Sequence, residues 1–267
     1  MSGDALKLFV DDVGVMGYRE AWERQLALHE RVLGGELAEG AVMLVEHPAV
    51  ITIGRRAGAE RHLLTSRELL ALRGVEVVET DRGGDITFHG PGQLVAYPIV
   101  PLNAYGLNLH GYMRLLEQVV IDALAEFGIE GMRDPMPEPA TGVWARAGDE
   151  RSIAGGQNGE AAGAAASLAK ICALGIKVRR WVTLHGIALN VTTNLDGFAL
   201  INPCGLSRPV TSMERLGAAA DMAAVKRAFV RALEARLAAA RAAPARSDTS
   251  AGISEEAAAT SPDMRRR

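Results

Sequence analysis

Aromatic residues make up only 4% of this 267-residue chain, so a core of ample size must be built from Ala, Val, Leu and Ile. Lysine is scarce too: there are four, against 25 arginines. Two cysteines, Cys172 and Cys204, are too few for a disulfide framework. With no targeting segment they point to a reducing cytoplasm, where a bridge between them is not expected. No window approaches the ~18 apolar residues of a membrane span. The opening MSGDALKLFVDD carries acidic residues where a signal peptide has an apolar run. There is no Gly-Lys dipeptide, which excludes a Walker-type phosphate loop. The net charge of −3 gives no whole-chain attraction to nucleic acid or anionic membrane, so a charged docking patch has to be local. The expectation is a soluble, cytoplasmic protein.

What is present alternates between strand and helix patterns. Leu6, Leu8 and Val10 alternate as in a strand. Tyr18, Trp22, Leu26, His29 and Leu33 then fall at helical spacing, with His29 read as a packing residue. Val42 to Val45 and Val50 to Ile53 are β-branched runs separated at Pro48. A short helix follows, capped by Thr65 or Ser66, with Leu69, Leu70 and Leu72 as its apolar side. Strands at Val75–Glu79, from Asp85 to His89 and at Leu94–Val100 enclose many glycines. Leu107–Ile129 is the clearest helix, stopped at Gly128, and His110 near its start is read as exposed. TGVWA is a short strand. Leu168–Ile176 and Lys177–Val182 read as one hairpin and Leu184–Val191 as a further strand. Asp221 caps a last helix with Val225, Phe229, Leu233 and Leu237 on one face. Residues 1–243 form a single domain interrupted by a flexible Gly/Ala-rich insertion at 148–167, and 244–267 is a disordered tail.

Two residues carry nucleophilic chemistry. Cys204 lies between Pro203 and Gly205, on a turn where a thiol is accessible. Lys170, one of the few lysines, could favour its thiolate as a base. Cys172 would share a strand face with Lys170 if the strand is regular, and is a rival nucleophile. The turn context favours Cys204. Arg82, Thr87, His89 and Gln93 crowd around glycines that let a ligand approach the backbone. His89 and His185 have no metal-ligand spacing with Cys204, so no metal is expected.

Three segments taken together, RGGDITFHGPGQLVAYP, AKICALGIKV and HGIALNV with FALINPCGL, closely resemble the lipoyl(octanoyl) transferases. The helix and EHPAVITIGR before them agree. The resemblance implies an α/β fold of α+β type: a mixed β-sheet with helices packed on one side, as in the core of biotin and lipoate protein ligases and class II synthetases. It implies that Cys204 carries the acyl group as a thioester and that Lys170 lowers its pKa and shuttles protons. The acyl pocket would be lined by Arg82, Gly83, Gly84, Asp85, Ile86, Thr87, Phe88 and His89, by Ala173, Leu174 and Gly175, and by Gly186, Ile187 and Ala188.

The implied reaction moves an octanoyl or lipoyl group from acyl carrier protein to a lysine of lipoyl domains or of the glycine-cleavage H protein. Thioester chemistry needs no nucleotide, and no cofactor is expected. Ping-pong kinetics would follow. Leu174 and Ile187 are the expected end of the acyl tunnel, and amides near Gly205 or Gly84 the expected oxyanion donors. An acidic carrier would need a local basic patch, for which Arg55, Arg56, Arg179, Arg180 and Arg208 are candidates. The alternative is an ATP-dependent lipoate or biotin ligase on the same fold, which needs no cysteine. The insertion, Cys172 and the tail depart from the family pattern without removing a catalytic residue.

Overall fold

The protein is described here from a computed structural model covering residues 6–137, 140–147, 168–202 and 208–243. The expected insertion at 148–167, the turn holding Cys204 and Gly205, and the expected tail at 244–267 lie outside the described residues.

The strands are β1 (Phe9–Val15), β2 (Ala41–Glu46), β3 (Val50–Ile53), β4 (Glu76–Glu79), β5 (Ile86–His89), β6 (Gln93–Ile99), β7 (Gly131–Met132), β8 (Val143–Arg146), β9 (Leu168–Arg179) and β10 (Val182–Asn190). The helices are α1 (Tyr18–Leu33), α2 (Arg67–Leu72), α3 (Leu109–Ala125) and α4 (Met222–Ala242). Seven strands form a large sheet in the order β1-β2-β6-β10-β9-β8-β7, and a small sheet runs β4-β3-β5. Pairing is mixed: β1 with β2 and β3 with β4 are parallel, the remaining pairs antiparallel.

The mixed α/β class is as expected, but the layering differs from helices on one side. Val42 and Leu44 of β2 and Leu94 and Ala96 of β6 pack on α3 and α4. Met43, Val45, Val95 and Tyr97 pack on α1 across the opposite face. The reason lies in the strands, since β2 and β6 are apolar at nearly every position and both faces have to be covered. The small sheet has a core of its own, from Ile51, Ile53, Ile86 and Phe88 with Leu70 and Ile201.

Capping chemistry set several boundaries. The side chains of Ser66, Asn108 and Asp221 accept N–H bonds from Leu69, Gly111 and Ala224, each satisfying an otherwise orphan helix donor. Val225, Phe229, Leu233 and Leu237 are fully buried. In α2 only Leu70 is buried, while Leu69 and Leu72 are exposed; six residues make too short a helix to bury a stripe. The buried side of α1 is Tyr18, Ala21, Gln25, Leu28, His29 and Val32, leaving Leu26 exposed. The expected break at Lys177 does not occur. β9 runs unbroken to Arg179, pairing along its length with β10, and no Gly or Pro stands at 176–178 to interrupt it. The chain reverses at Arg180 and Trp181, both with positive φ (52° and 62°), as a two-residue hairpin turn requires.

Candidate active site

β9 lies between β8 and β10, yet Lys170, Ala173 and Gly175 are each partly exposed. An interior strand with an uncovered stretch is a groove floor. Its geometry depends on a slip in pairing with β8, where Val143 faces Cys172 but Trp144 faces Lys170. Ile171 is the extra residue of a β-bulge, and residues on its two sides exchange faces. Ile171 and Cys172 both enter the core beneath α3 and α4, while Lys170 turns with Trp144 to the other face. The expectation that Lys170 and Cys172 share a face therefore fails, because the strand is not regular. Burial also pushes the Cys172 thiol far above its ordinary range, the reverse of what a nucleophile needs. Cys172 is a packing residue.

Lys170 Nζ donates to the Thr141 carbonyl at 3.1 Å and sits 4.8 Å from the centre of the Trp144 ring. Its backbone N–H donates to Pro209 O at 2.8 Å and its carbonyl accepts from Thr211 N–H at 3.0 Å. Arg208 stacks on the Trp144 ring at 3.6 Å and makes a two-pronged ion pair with Asp134. On the upstream side, Leu64 N–H donates to Leu200 O and Asn202 N–H to His62 O. Asn202 is thus held to His62, and Pro209 and Thr211 are held to Lys170.

Along the groove the floor is made of small residues in cross-strand pairs, Ala173 with Ala188 and Gly175 with Gly186. Leu174 and Ile187 turn to the opposite face and pack in the α3/α4 core. The groove is crossed where Gly83 N–H donates to Ile176 O at 2.9 Å. Arg82 is buried and donates to Thr52 Oγ1 and O and to Gly83 O, fixing the loop that makes this crossing. Gly83 and Gly84 are exposed and Asp85 is buried, its carboxylate 2.8 Å from His62 Nδ1. Ile86 and Phe88 point into the small sheet's own core, whereas Thr87 and His89 alternate to the side facing the large sheet.

Behind the crossing, Asp81 bonds to Lys177 Nζ and, at 2.7 Å, to His185 Nε2. His185 takes φ +59°, a costly conformation for a non-glycine residue. It bends β10 so that its N–H goes to Gln25 Oε1 instead of the ladder.

A buried polar layer joins the small sheet to Lys170. Gln93 Nε2 donates to Asn190 Oδ1 and Phe88 O, so Gln93 Oε1 is an acceptor and His89 Nδ1, 2.7 Å away, carries the proton. Asn190 Nδ2 donates to Thr211 O, on the segment paired with Lys170. His47 likewise donates from Nδ1 to Met16 O, and its Nε2 meets Tyr97 Oη at 2.8 Å. Burial lowers His47 to about 4 and His89 to about 3, with the neighbouring histidine adding to the second shift. Both are neutral at physiological pH.

Of the arginines considered for a docking patch, Arg55 and Arg56 run beside the 82–84 loop, their N–H groups bonded to Arg82 O and Gly84 O. Arg179 and Arg180 sit at the far tip of the β9–β10 hairpin, some ~30 Å from Lys170 at ~3.3 Å per residue. An open depression of about 340 Å³ at the edge of the small sheet is lined by Arg56, Glu60, Arg61 and Glu79 with apolar neighbours, and by no residue of β9 or β10. Among the described residues no group of three or more His, Cys, Asp or Glu is placed to hold a metal ion, and no helix is long and apolar enough to cross a membrane. Sequence reasoning missed Thr141, Trp144, Asp134 and Asn190 at this site. Asp134 and Arg208 are 74 residues apart, and only the tertiary fold brings them together.

Comparison with known proteins bears on this arrangement. Residues 17–234 match the model of the lipoyl protein ligase A/B catalytic domain. An octanoyltransferase of Gloeobacter violaceus is 44% identical over 203 residues, 76% of this chain and 78% of that protein. One of Bacteroides fragilis is 41% identical over 238 residues, covering 87% of this chain and 99% of that protein. Among solved structures, a bi-partite lipoate protein ligase of Thermoplasma acidophilum superposes with a TM-score of 0.61 at 14% identity, over 87% of this chain and 84% of that one. A lipoate-protein ligase A bound with ATP gives a TM-score of 0.60 at 14% identity, over 87% and 85%. At that identity these two speak for the fold.

Proposed function

The chain belongs to the lipoyl protein ligase A/B catalytic domain family, and we propose that it transfers an octanoyl group onto a lysine of lipoyl domains, with Cys204 as the transient acyl carrier. The donor in this reading is octanoyl-acyl carrier protein, and the H protein of glycine cleavage is a further acceptor. Residues 1–243 act as one catalytic domain. The observation that carries the reading is the pairing of Lys170 with Pro209 and Thr211, which ties the chain just beyond Cys204 to the lysine on the groove floor. The groove itself supports an acyl ligand. From Lys170 to Ile176, where Gly83 crosses, is roughly 20 Å at ~3.3 Å per residue. An extended octanoyl chain of seven C–C bonds needs about 9 Å.

In the first half-reaction the neutral Lys170 amine takes the Cys204 proton. The thiolate attacks the thioester carbonyl and the donor thiolate departs, taking that proton from Lys170. In the second, the acceptor amine attacks the Cys204 thioester and gives its proton to Lys170, and the cysteine thiolate leaves and is reprotonated. Each half-reaction is an acyl transfer with no oxidation, and the order is ping-pong. Intact-mass analysis after incubation with the octanoyl donor tests this. An adduct of one octanoyl group is expected in the wild type and in Cys172→Ser, and none in Cys204→Ser. Full turnover by Cys204→Ser, or a requirement for ATP, would instead favour a ligase.

A further inference from the structure

Two basic side chains meet the Trp144 ring. Arg208 is stacked 3.6 Å from its centre and Lys170 Nζ lies 4.8 Å from the same centre, which puts the two basic groups at a separation comparable to the ~8 Å Debye length of physiological salt or less. Trp144 is fully buried and stands opposite Lys170 in the β8–β9 pair, so the ring cannot drift and the spacing is fixed. Arg208 is fixed as well, by both oxygens of a buried Asp134. We propose that Arg208 is a positioning residue that acts through Lys170: its charge, graded by Asp134, keeps the lysine amine neutral enough to accept protons. The proposal rests on reading Lys170 as the base of the transfer.

The other charges around Lys170 do not offer the same control. Glu117 of α3 reaches the Gly142 N–H next to the lysine, but it is already bound by Arg114 and Arg133. Cys172, two residues along β9, is buried as the neutral thiol. The Cys204 thiol proposed above is the reaction partner itself. Among these described groups the Arg208–Asp134 pair is the adjustable field. A nearby cation disfavours a second positive charge, and a nearby carboxylate favours it.

Removing either partner should therefore move Lys170 in opposite directions. Arg208→Gln leaves Asp134 unopposed and should raise the lysine pKa by about one unit. Asp134→Asn keeps an acceptor for Arg208 but removes the opposing charge, and should lower it. Arg208→Lys keeps a cation without the planar stack and should fall between wild type and Arg208→Gln.

The chain has only four lysines, Lys7, Lys170, Lys177 and Lys226. ¹³C-dimethylation followed by NMR titration then gives four lysine signals beside that of the α-amino group, with Lys170 assigned by its loss in Lys170→Arg. Shifts of opposite sign in Arg208→Gln and Asp134→Asn, followed by the acid limb of the octanoyl-transfer pH profile, support the proposal. An unmoved Lys170 signal, or shifts of the same sign, overturns it whatever the thioester experiment shows. If the signal moves as expected while the pH profile stays put, the coupling stands and the assignment of Lys170 as base falls.

Discussion

Gly175 and Gly186 face each other across β9 and β10; a Cβ would be tightly held at the first and is excluded at the second. One on Gly175 would lie 3.0 Å from Gly83 O and 3.1 Å from Arg82 Cδ; one on Gly186 would lie 2.1 Å from Ala96 O. The first contact is with the loop that crosses the groove, the second with the backbone of a central strand. The two glycines therefore serve different ends.

Gly175→Ala should push on the crossing loop and shorten the groove. Losing contact with one or two methylenes, at ~0.8 kcal/mol each, would lower kcat/KM roughly four- to fifteen-fold for a hexadecanoyl donor, whose chain is long enough to reach the crossing. An octanoyl donor, at about 9 Å, should be used within about two-fold as well as by wild type. Gly186→Ala should instead lose soluble folded protein, since Ala96 cannot retreat without breaking the β6 ladder. Equal losses for both chain lengths in Gly175→Ala would place the end of the groove elsewhere.

Cys172 should behave as core. Cys172→Ala is expected to cost about 1–2 kcal/mol in urea unfolding, in the range of small core truncations, and to leave kcat unchanged. Under native conditions a thiol reagent should not modify Cys172 until denaturant is added. Rapid native labelling, mapped by peptide mass, would contradict the buried position.

Acid should destabilise the fold in two stages. His47 and His89 are held at about 4 and about 3, below the ordinary 6.5, so the unfolded chain binds protons that the folded one does not. Their contribution is complete above pH 6.5 and is lost progressively as pH falls from there through about 4 and about 3. These two alone give a slope approaching ~2.7 kcal/mol per pH unit between about 6 and 4.5. Burial lowers His29 and His185 too. Asp134, held at about 2 by Arg208 against an ordinary 3.8, then loses its contribution from about pH 4 down to 2. Urea melts in a pH series check this. His47→Gln should reduce the slope by up to ~1.4 kcal/mol per unit, and a flat profile in wild type would refute it.

The carrier-docking patch should lie beside the groove and not at the hairpin tip. Arg56→Glu is expected to raise KM for the acyl donor several-fold at low salt, with the difference shrinking as salt rises. Arg179→Glu and Arg180→Glu, roughly 30 Å from Lys170 along β9, should leave KM unchanged. Steady-state kinetics at two ionic strengths separates the outcomes, and an effect from the tip residues alone would move the patch there.

Local order was legible in the chain because it is encoded locally. The caps at Ser66 and Asp221, the buried stripe Val225–Phe229–Leu233–Leu237 and the strand runs at 42–45, 50–53 and 94–100 follow from spacing within one element. So did the family, since its motifs are contiguous. The sequence could not reveal the bulge at Ile171, because a slip in register is decided by the partner strand, and that slip alone separates Lys170 from Cys172. Nor could it pair Asp134 with Arg208 over Trp144, or run His89 through Gln93 and Asn190 to Thr211. Those contacts join residues far apart in the chain, and they form only when two sheets and a bent strand close on one another. Spacing along the chain chose the elements, while closure of the fold decided which side chains share the groove.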